Sequence, residues 1–288
     1  MGQLGWSIGS ARVTRFVDIE APLDAQAFFP DSSPEALDRH RSWLEPDFMD
    51  RNGQLLLSIH ALLVEIGGVR ILVDTCLGEH RVPGFEDMPG RGHAFLEEMA
   101  QAGAPRESID VVLCTHLHFD HVGWNTMREG SRWVPTFPNA RYLFARAEWE
   151  HWSAAGDATT YAPTLRDAVK PVLDAGQADL VAGDHRVCDG VRLVPTPGHT
   201  PGHVSVRIAS GGAEALVTGD ATHHPVQLAE PDWGMDADVD RKLAAATRRR
   251  MIAVLADSDT LVIGTHYAGA TAGHVVRGEA GTWFRARR

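Results

Sequence analysis

Lysine is almost missing from this chain. Lys170 and Lys242 are the only two, and every other basic side chain is an arginine. Acids outnumber bases, giving a formal net charge of -11 and a pI near 5.7. That sign argues against nucleic acid or an anionic membrane as a partner, because both recruit basic surface. Cysteine is scarce too. Cys76, Cys114 and Cys188 are far apart and form no C-x-x-C pair, so they do not make a disulfide framework. Cys114 sits in the apolar run VVLC and reads as a small buried hydrophobe. No apolar stretch reaches 18 residues, so no membrane span is expected. The start, MGQLGWSIGSARVTRF, lacks the apolar run of a signal peptide. Cytoplasmic residence is the expectation. Linkers, short repeats and low-complexity tracts are also lacking, so 1–288 is expected to form a single domain.

Histidine, by contrast, is abundant, with 15 residues. The chain around those histidines reads as strands followed by helices, twice over. Residues 1–50 read as an irregular N-terminal extension with one short helix at 34–43. LLLSIHALLVEI (55–66), a GG turn and VRILVD (69–74) read as a hairpin. His60 lies within that run and reads as a packed core histidine. A helix is expected at 93–103, ending at a glycine, then a buried strand at 109–115 and another at 140–145. RAEWEHWSAAG and PTLRDAVKPVLDAG are helix-like. The second half gives strands at 191–196, 203–210 and 214–220, an amphipathic helix at 238–257 and a last strand at 260–266. This rhythm predicts an α/β fold, an αββα sandwich of two packed mixed sheets with helices on the outer faces.

Five of the strand-like runs end on a residue able to bind a metal or orient a ligand. VRILVD ends at Asp74 and EALVTGD at Asp220. IDVVLCT runs into THLHFDH, VRLVPT is followed by PGHT with His199, and TLVIGTH ends at His266. Strand ends of a layered α/β fold gather at one edge, where loops converge on a site. In THLHFDH, His116 and His118 are two apart and can point the same way in extended backbone. Asp120 and His121 face elsewhere. A zinc ion takes about four ligands, so four ligands on one loop suit two neighbouring metals better than one. Further ligands must then come from distant sequence, which His199 and His266 offer, and Asp220 can bridge the pair.

The order H-x-H-x-D-H, then TPGHTPGH, TGD and GTH resembles the metallo-β-lactamase superfamily over about residues 55–270. VDTCLG around Asp74 is similar to that family's early V-D-T-G segment, with Cys76 where glycine is usual. The resemblance implies an N-terminal extension at 1–50 and a catalytic core at 51–288. It implies that His116, His118 and His199 bind one metal, that Asp120, His121 and His266 bind the other, and that Asp220 bridges. It also places Asp74 behind a ligand imidazole. The implied cofactor is two zinc ions per chain, with manganese, iron or cobalt suited to the same donors. The implied chemistry is attack of a shared hydroxide on an ester-type carbonyl, with Asp120 also handling protons.

The extension at 1–50 and the segment Gly219-Asp220-Ala221-Thr222-His223-His224-Pro225 resemble the lactonase and methyl-parathion-hydrolase branch most. That resemblance implies an N-acyl-homoserine-lactone-like lactonase acting on a small apolar lactone or ester, and a homodimer. The alternatives are a phosphotriesterase or arylesterase and, less expected, a mononuclear-iron sulfur dioxygenase. In the lactonases a tyrosine three residues after the bridging aspartate hydrogen-bonds substrate; His223 stands there and is the candidate to replace it. Phe119 and Trp124 flank the ligand loop, and with Phe48, Met49 and Trp233 they are the candidates to line a substrate pocket. The closing RARR reads as a solvated tail.

Overall fold

The computed structural model describes residues 3–80, 90–156, 159–279 and 281–287. Its internal contacts gather into two compact units, Met1–Ile19 with Ile59–His185 and Glu20–Ser58 with Arg186–Arg288.

The first seven-stranded sheet runs in the order Gly5–Ile8, Ala11–Leu23, Leu55–Ile66, Val69–Val73, Val111–Leu113, Arg141–Ala145, Ala178–Val181. Leu55–Ile66 and Val69–Val73 form the expected antiparallel hairpin. Gly67 and Gly68 turn it with φ of 58° and 84°, the pair of positive angles that a twist-matched two-residue turn requires. The next three strands add in parallel. Parallel neighbours need long crossovers, and the helices His93–Gln101 and Arg146–Ala155 lie in two of these connections. Parallel register puts Val73 beside Leu113 and Leu113 beside Leu143. The chains after Val73 and Leu113 therefore leave the sheet at one level, while the third strand continues to Ala145.

The N-terminal extension corrects the expectation of irregular structure. Gly5–Ile8 and Ala11–Leu23 pair antiparallel, with Ile8 opposite Ala11 and Trp6 opposite Val13. Ala11, Val13, Thr14, Phe16 and Asp18 are buried, but the alternation changes phase at Val13-Thr14 and arginines and acids interrupt it, so no clean period of two shows in the sequence. The short helix is present as Pro34–Leu44. Ser33 caps it by accepting the Ala36 N–H, and Pro34 occupies the first turn.

The second sheet runs Arg186–Cys188, Val191–Pro195, Val204–Ser210, Ala213–Val217, Leu261–Ile263, Ala272–Gly278, Gly281–Ala286. All its pairings are antiparallel except Ala213–Val217 with Leu261–Ile263. The helix Arg241–Leu255 falls in that crossover, capped by Asp240, which accepts the Leu243 N–H. The last two strands are not evident in the sequence, because glycines and arginines interrupt their apolar alternation. Val275 and Phe284 nevertheless anchor them in the core.

Each unit has its own apolar core. In the first, Phe16, Phe95, Trp124, Phe137, Tyr142 and Phe144 pack together. In the second, Phe29, Phe48, Leu228, Trp233, Tyr267 and Phe284 do so. Each such side chain contributes about 1.5–3 kcal/mol when fully buried. His60 and Cys114 are buried as read. Among the described residues no helix is long and apolar enough to cross a membrane.

His224 gives this core a pH dependence. Its Nε2–H donates to the Phe48 carbonyl (2.8 Å) and its Nδ1 accepts the Val226 N–H (3.2 Å). Burial pushes its pKa down to about 4. The folded form thus takes up a proton at lower pH than the unfolded chain does. The associated stability is complete above the ordinary histidine pKa and is lost as pH falls from about 6.5 towards 4, a span worth about 3 kcal/mol. Urea unfolding in the presence of chelator is expected to show falling stability over that range and a flatter slope in His224→Gln. An unchanged slope in the variant would assign the acid sensitivity elsewhere.

Candidate metal centre

In the first unit the level strand ends deliver Asp74 and Thr115 side by side. Asp74 adopts φ of 58° and Cys76 φ of 54°, which explains why glycine suits the position of Cys76. Asp74 is 1% exposed and its carboxylate organises the loop. Oδ1 accepts the Thr115 N–H (2.8 Å). Oδ2 accepts the Thr115 hydroxyl (2.9 Å) and the His121 Nδ1–H (2.9 Å). Because Thr115 gives its proton to Asp74, its oxygen accepts from His116 Nδ1 at 3.1 Å. Both imidazoles are thereby left with Nε2 as the lone-pair nitrogen.

His118 lies beside His116, their ring centroids 4.5 Å apart, and it stacks on Tyr161 at 4.4 Å and 10°. Glu148, 1% exposed, supports this turn. Its Oε1 accepts the Leu117 N–H (3.2 Å) and the Trp152 indole N–H (2.6 Å). Asp120 is half-buried, with Oδ2 3.7 Å from His121 Nε2. The loop then turns back against 75–78: Gly123 N–H donates to Cys76 O and Trp124 N–H to Thr75 O. A Cβ on Gly123 would lie 2.0 Å from the carbonyl carbon of Leu77, so only glycine fits this crossing.

In the second unit Val217 lies in parallel register with Ile263, so Asp220 and His266 leave one edge together. Thr196 and His203 close the turn that carries His199. Asp220 is 3% exposed and faces two ways. Its Oδ2 is 3.5 Å from His199 Nε2 and 3.2 Å from His223 Nε2. Its Oδ1 is 3.2 Å from His266 Nε2 and accepts the Thr265 hydroxyl at 3.3 Å. His199 donates its Nδ1–H to Asp238 (2.9 Å), and His266 donates its own to the Ser58 carbonyl (2.9 Å). Each ring therefore turns Nε2 towards the carboxylate. His203 fixes the backbone of Asp220, accepting its N–H at 2.7 Å while its own Nδ1–H is held by Thr196. Burial pushes the His223 pKa down against the pull of Asp220. Burial also pushes Asp238 up, but its bond to His199 and the nearby His223 and Arg248 outweigh this and hold its pKa low.

The structure thus brings His116, His118, Asp120 and His121 together with Asp74 in one unit, and His199, Asp220, His223 and His266 together in the other. The five candidates for the pocket lining are buried and belong to the two core clusters. Phe119 and Trp124 belong to the first; Phe48, Met49 and Trp233 belong to the second. Phe48 packs edge-on against His224, Tyr267 and Phe284. Asp238 escaped the sequence reading because it looks like the start of the following helix. That helix begins at Arg241, leaving Asp238 free to turn back. Fully buried Arg248 stands behind it, Nη1 3.7 Å from Asp238 Oδ2 and Nε bonded to Pro231 O at 2.7 Å. The second histidine of TPGHTPGH, His203, was the available signal for the Asp220 support.

Residues 56–274 match the Metallo-beta-lactamase superfamily. The chain belongs to that superfamily. Its two mixed sheets with helices are the metallo-β-lactamase α/β sandwich fold. An N-acyl homoserine lactonase of Bacillus sp is 30% identical over 230 residues, covering 74% of this chain and 83% of the relative; one from Bacillus cereus is equally similar. Among solved structures, the hydrolase AbOPH of the beta lactamase superfamily superposes with a TM-score of 0.80 at 24% identity, over 100% of this chain and 98% of that one. AidC, a dizinc quorum-quenching lactonase in complex with a product, gives 0.78 at 20% identity over the same shares.

The donor set fits such metals: neutral imidazoles locked to present Nε2, and carboxylates with oxygens turned towards them. Removing a group that holds a ligand ring is expected to weaken metal binding about 10–100-fold. Asp74→Ala and Asp238→Ala should each show this in chelator competition. Asp238→Ala should also lower thermal stability, because Arg248 loses its counter-charge. Adding Arg248→Met should restore the stability and leave the affinity low. Parental affinity in both single variants would mean that neither carboxylate orients a ligand.

Proposed function

We propose that the protein is a dinuclear-metal hydrolase that opens a lactone or cleaves a carboxylic ester, with N-acyl-homoserine lactones as its substrate class. In this reading His116, His118 and His199 hold one zinc ion, Asp120, His121 and His266 hold the second, and Asp220 bridges them. The observation that carries the reading is the buried carboxylate of Asp220, with one oxygen turned to His199 and His223 and the other to His266. A buried anion is costly unless positive charge meets it. Imidazoles and the Thr265 hydroxyl meet it on both sides, and bound metal cations would add positive charge at the same oxygens. The relatives named as N-acyl homoserine lactonases support the choice of substrate, and the dizinc lactonase AidC supports the metal.

Bound metals would lower the pKa of water and polarise the carbonyl under attack. The protein's own groups do the rest. Asp74, Asp238, Thr115 and the Ser58 carbonyl hold the imidazoles in one tautomer and one orientation. Asp120 is half-buried and suited to take the proton of the attacking water and return it to the departing oxygen. His223 serves the reacting group from the Asp220 side, where the related lactonases carry tyrosine. Water adds across the acyl C–O bond, the ring oxygen leaves as an alcohol, and at neutral pH the new acid releases one proton. The same reading makes this a cytoplasmic enzyme of small apolar substrates and a homodimer, the latter checked by light scattering.

The purified protein is expected to carry two zinc ions per chain and to release protons from short- and long-chain homoserine lactones. Asp220→Ala should lose the two-metal stoichiometry and lower kcat/KM by about 100-fold or more. Inert lactones with a cleaved phosphotriester or aryl ester would move the assignment to the phosphotriesterase and arylesterase alternative. One iron per chain with no hydrolysis would overturn the reading.

A further inference from the structure

His223 is buried to 2% exposure, and neither of its ring nitrogens has a hydrogen-bond partner. Buried polar atoms in folded proteins are nearly always satisfied, so an imidazole with an unsatisfied Nδ1 and an Nε2 that meets only the Asp220 carboxylate off-axis needs an explanation. Its Nε2 approaches Asp220 Oδ2 to 3.2 Å without the alignment of a hydrogen bond. His199 Nε2 lies 3.5 Å from the same oxygen, and donor atoms of His199, Asp220 and His223 all fall within 4.8 Å of one another. Zinc binds nitrogen and oxygen at about 2.0–2.1 Å, so neighbouring donors on one ion lie about 3–3.5 Å apart. The separations of Asp220 Oδ2 from His223 Nε2 and from His199 Nε2 are of that size.

We propose that His223 is a metal ligand: with His199 Nε2 and Asp220 Oδ2, its Nε2 completes one buried triangular face of donors for a divalent transition metal such as zinc. This rests on the reading above that His199 and Asp220 hold a metal, and it gives His223 a more specific task than hydrogen bonding to substrate. The protein prepares the ring for that task. The backbone N–H of His223 donates to Gln227 Oε1 (2.7 Å), and Gln227 in turn donates to the Trp233 carbonyl (2.7 Å). On the other side Thr222 bonds to the Tyr267 hydroxyl at 2.8 Å. The ring is clamped between His199 (centroids 4.7 Å) and His266 (5.9 Å, 10°), with Phe28 edge-on at 6.0 Å. A side chain fixed at its backbone and packed among three rings, with Nε2 already turned to the Asp220 carboxylate, has the preorganisation of a ligand.

The test is metal binding, read apart from turnover. His223→Phe and His223→Gln are loaded with zinc and with cobalt, beside the parent. One of the two metals is expected to bind about 10–100-fold more weakly in chelator competition, and the cobalt d–d bands are expected to change in intensity and position. The other metal should stay. Circular dichroism and thermal unfolding of the metal-free proteins identify any variant that fails to fold, in which case the remaining variant decides. Parental affinity for both metals with parental cobalt spectra would overturn the proposal, even if turnover were lost, and would return His223 to the role of substrate donor. A parent that takes up no metal would sink the functional reading as well. A parent that holds two metals and opens lactones, beside variants indistinguishable in metal binding, would sink only this inference.

Discussion

An imidazole has two nitrogens, and a metal site works only if the protein settles which one faces inward. Here that is settled ring by ring at Nδ1. Asp74 holds His121, Thr115 holds His116, Asp238 holds His199 and the Ser58 carbonyl holds His266. Each such bond fixes tautomer and orientation at once. The sheets can be understood as the frame that brings those partners to their histidines. Val73 and Leu113 must be level for Asp74 to meet Thr115, and Val217 and Ile263 must be level for Asp220 to meet His266.

The same constraint explains features that would otherwise be costs. Asp74 and Cys76 occupy left-handed backbone, and Arg248 is buried on a helix face that would normally be apolar. The first arrangement turns the Asp74 carboxylate back over the Thr115 N–H. The second sets a counter-charge behind Asp238. Local strain and buried charge concentrate where function needs a fixed geometry, and here both stand directly behind ligand rings. Gly123 belongs to the same group, since the ligand loop can cross residues 75–78 only where no side chain intervenes.

Membership of the metallo-β-lactamase superfamily fixes the architecture, while function is carried by the site. The proposed lactonase activity is drawn from the two-faced Asp220 and from the named relatives. His223 is the residue at which the proposed roles meet: on the Asp220 side it is suited either to hold metal or to meet substrate.

The sequence by itself determined the strands with clean apolar runs, the hairpin turned on Gly67-Gly68, and the histidines and aspartates waiting at strand ends. These are local signals: a period of two, a turn dipeptide, a spacing of two residues. It left the first two and last two strands illegible, because arginine, threonine and glycine interrupt their alternation and only packing decides which face is inside; it also missed Ala178–Val181 and Arg186–Cys188, which are too short to show a period. It also left out the partners of the rings, apart from Asp74, which the family resemblance alone supplied. Asp74 is 47 residues from His121, Asp238 is 39 from His199, and Ser58 is 208 from His266. No local pattern can join residues so far apart. Only the tertiary structure, by bringing strand ends level and turning 238 back before the helix, decided which nitrogen each histidine shows and which neighbour makes it do so.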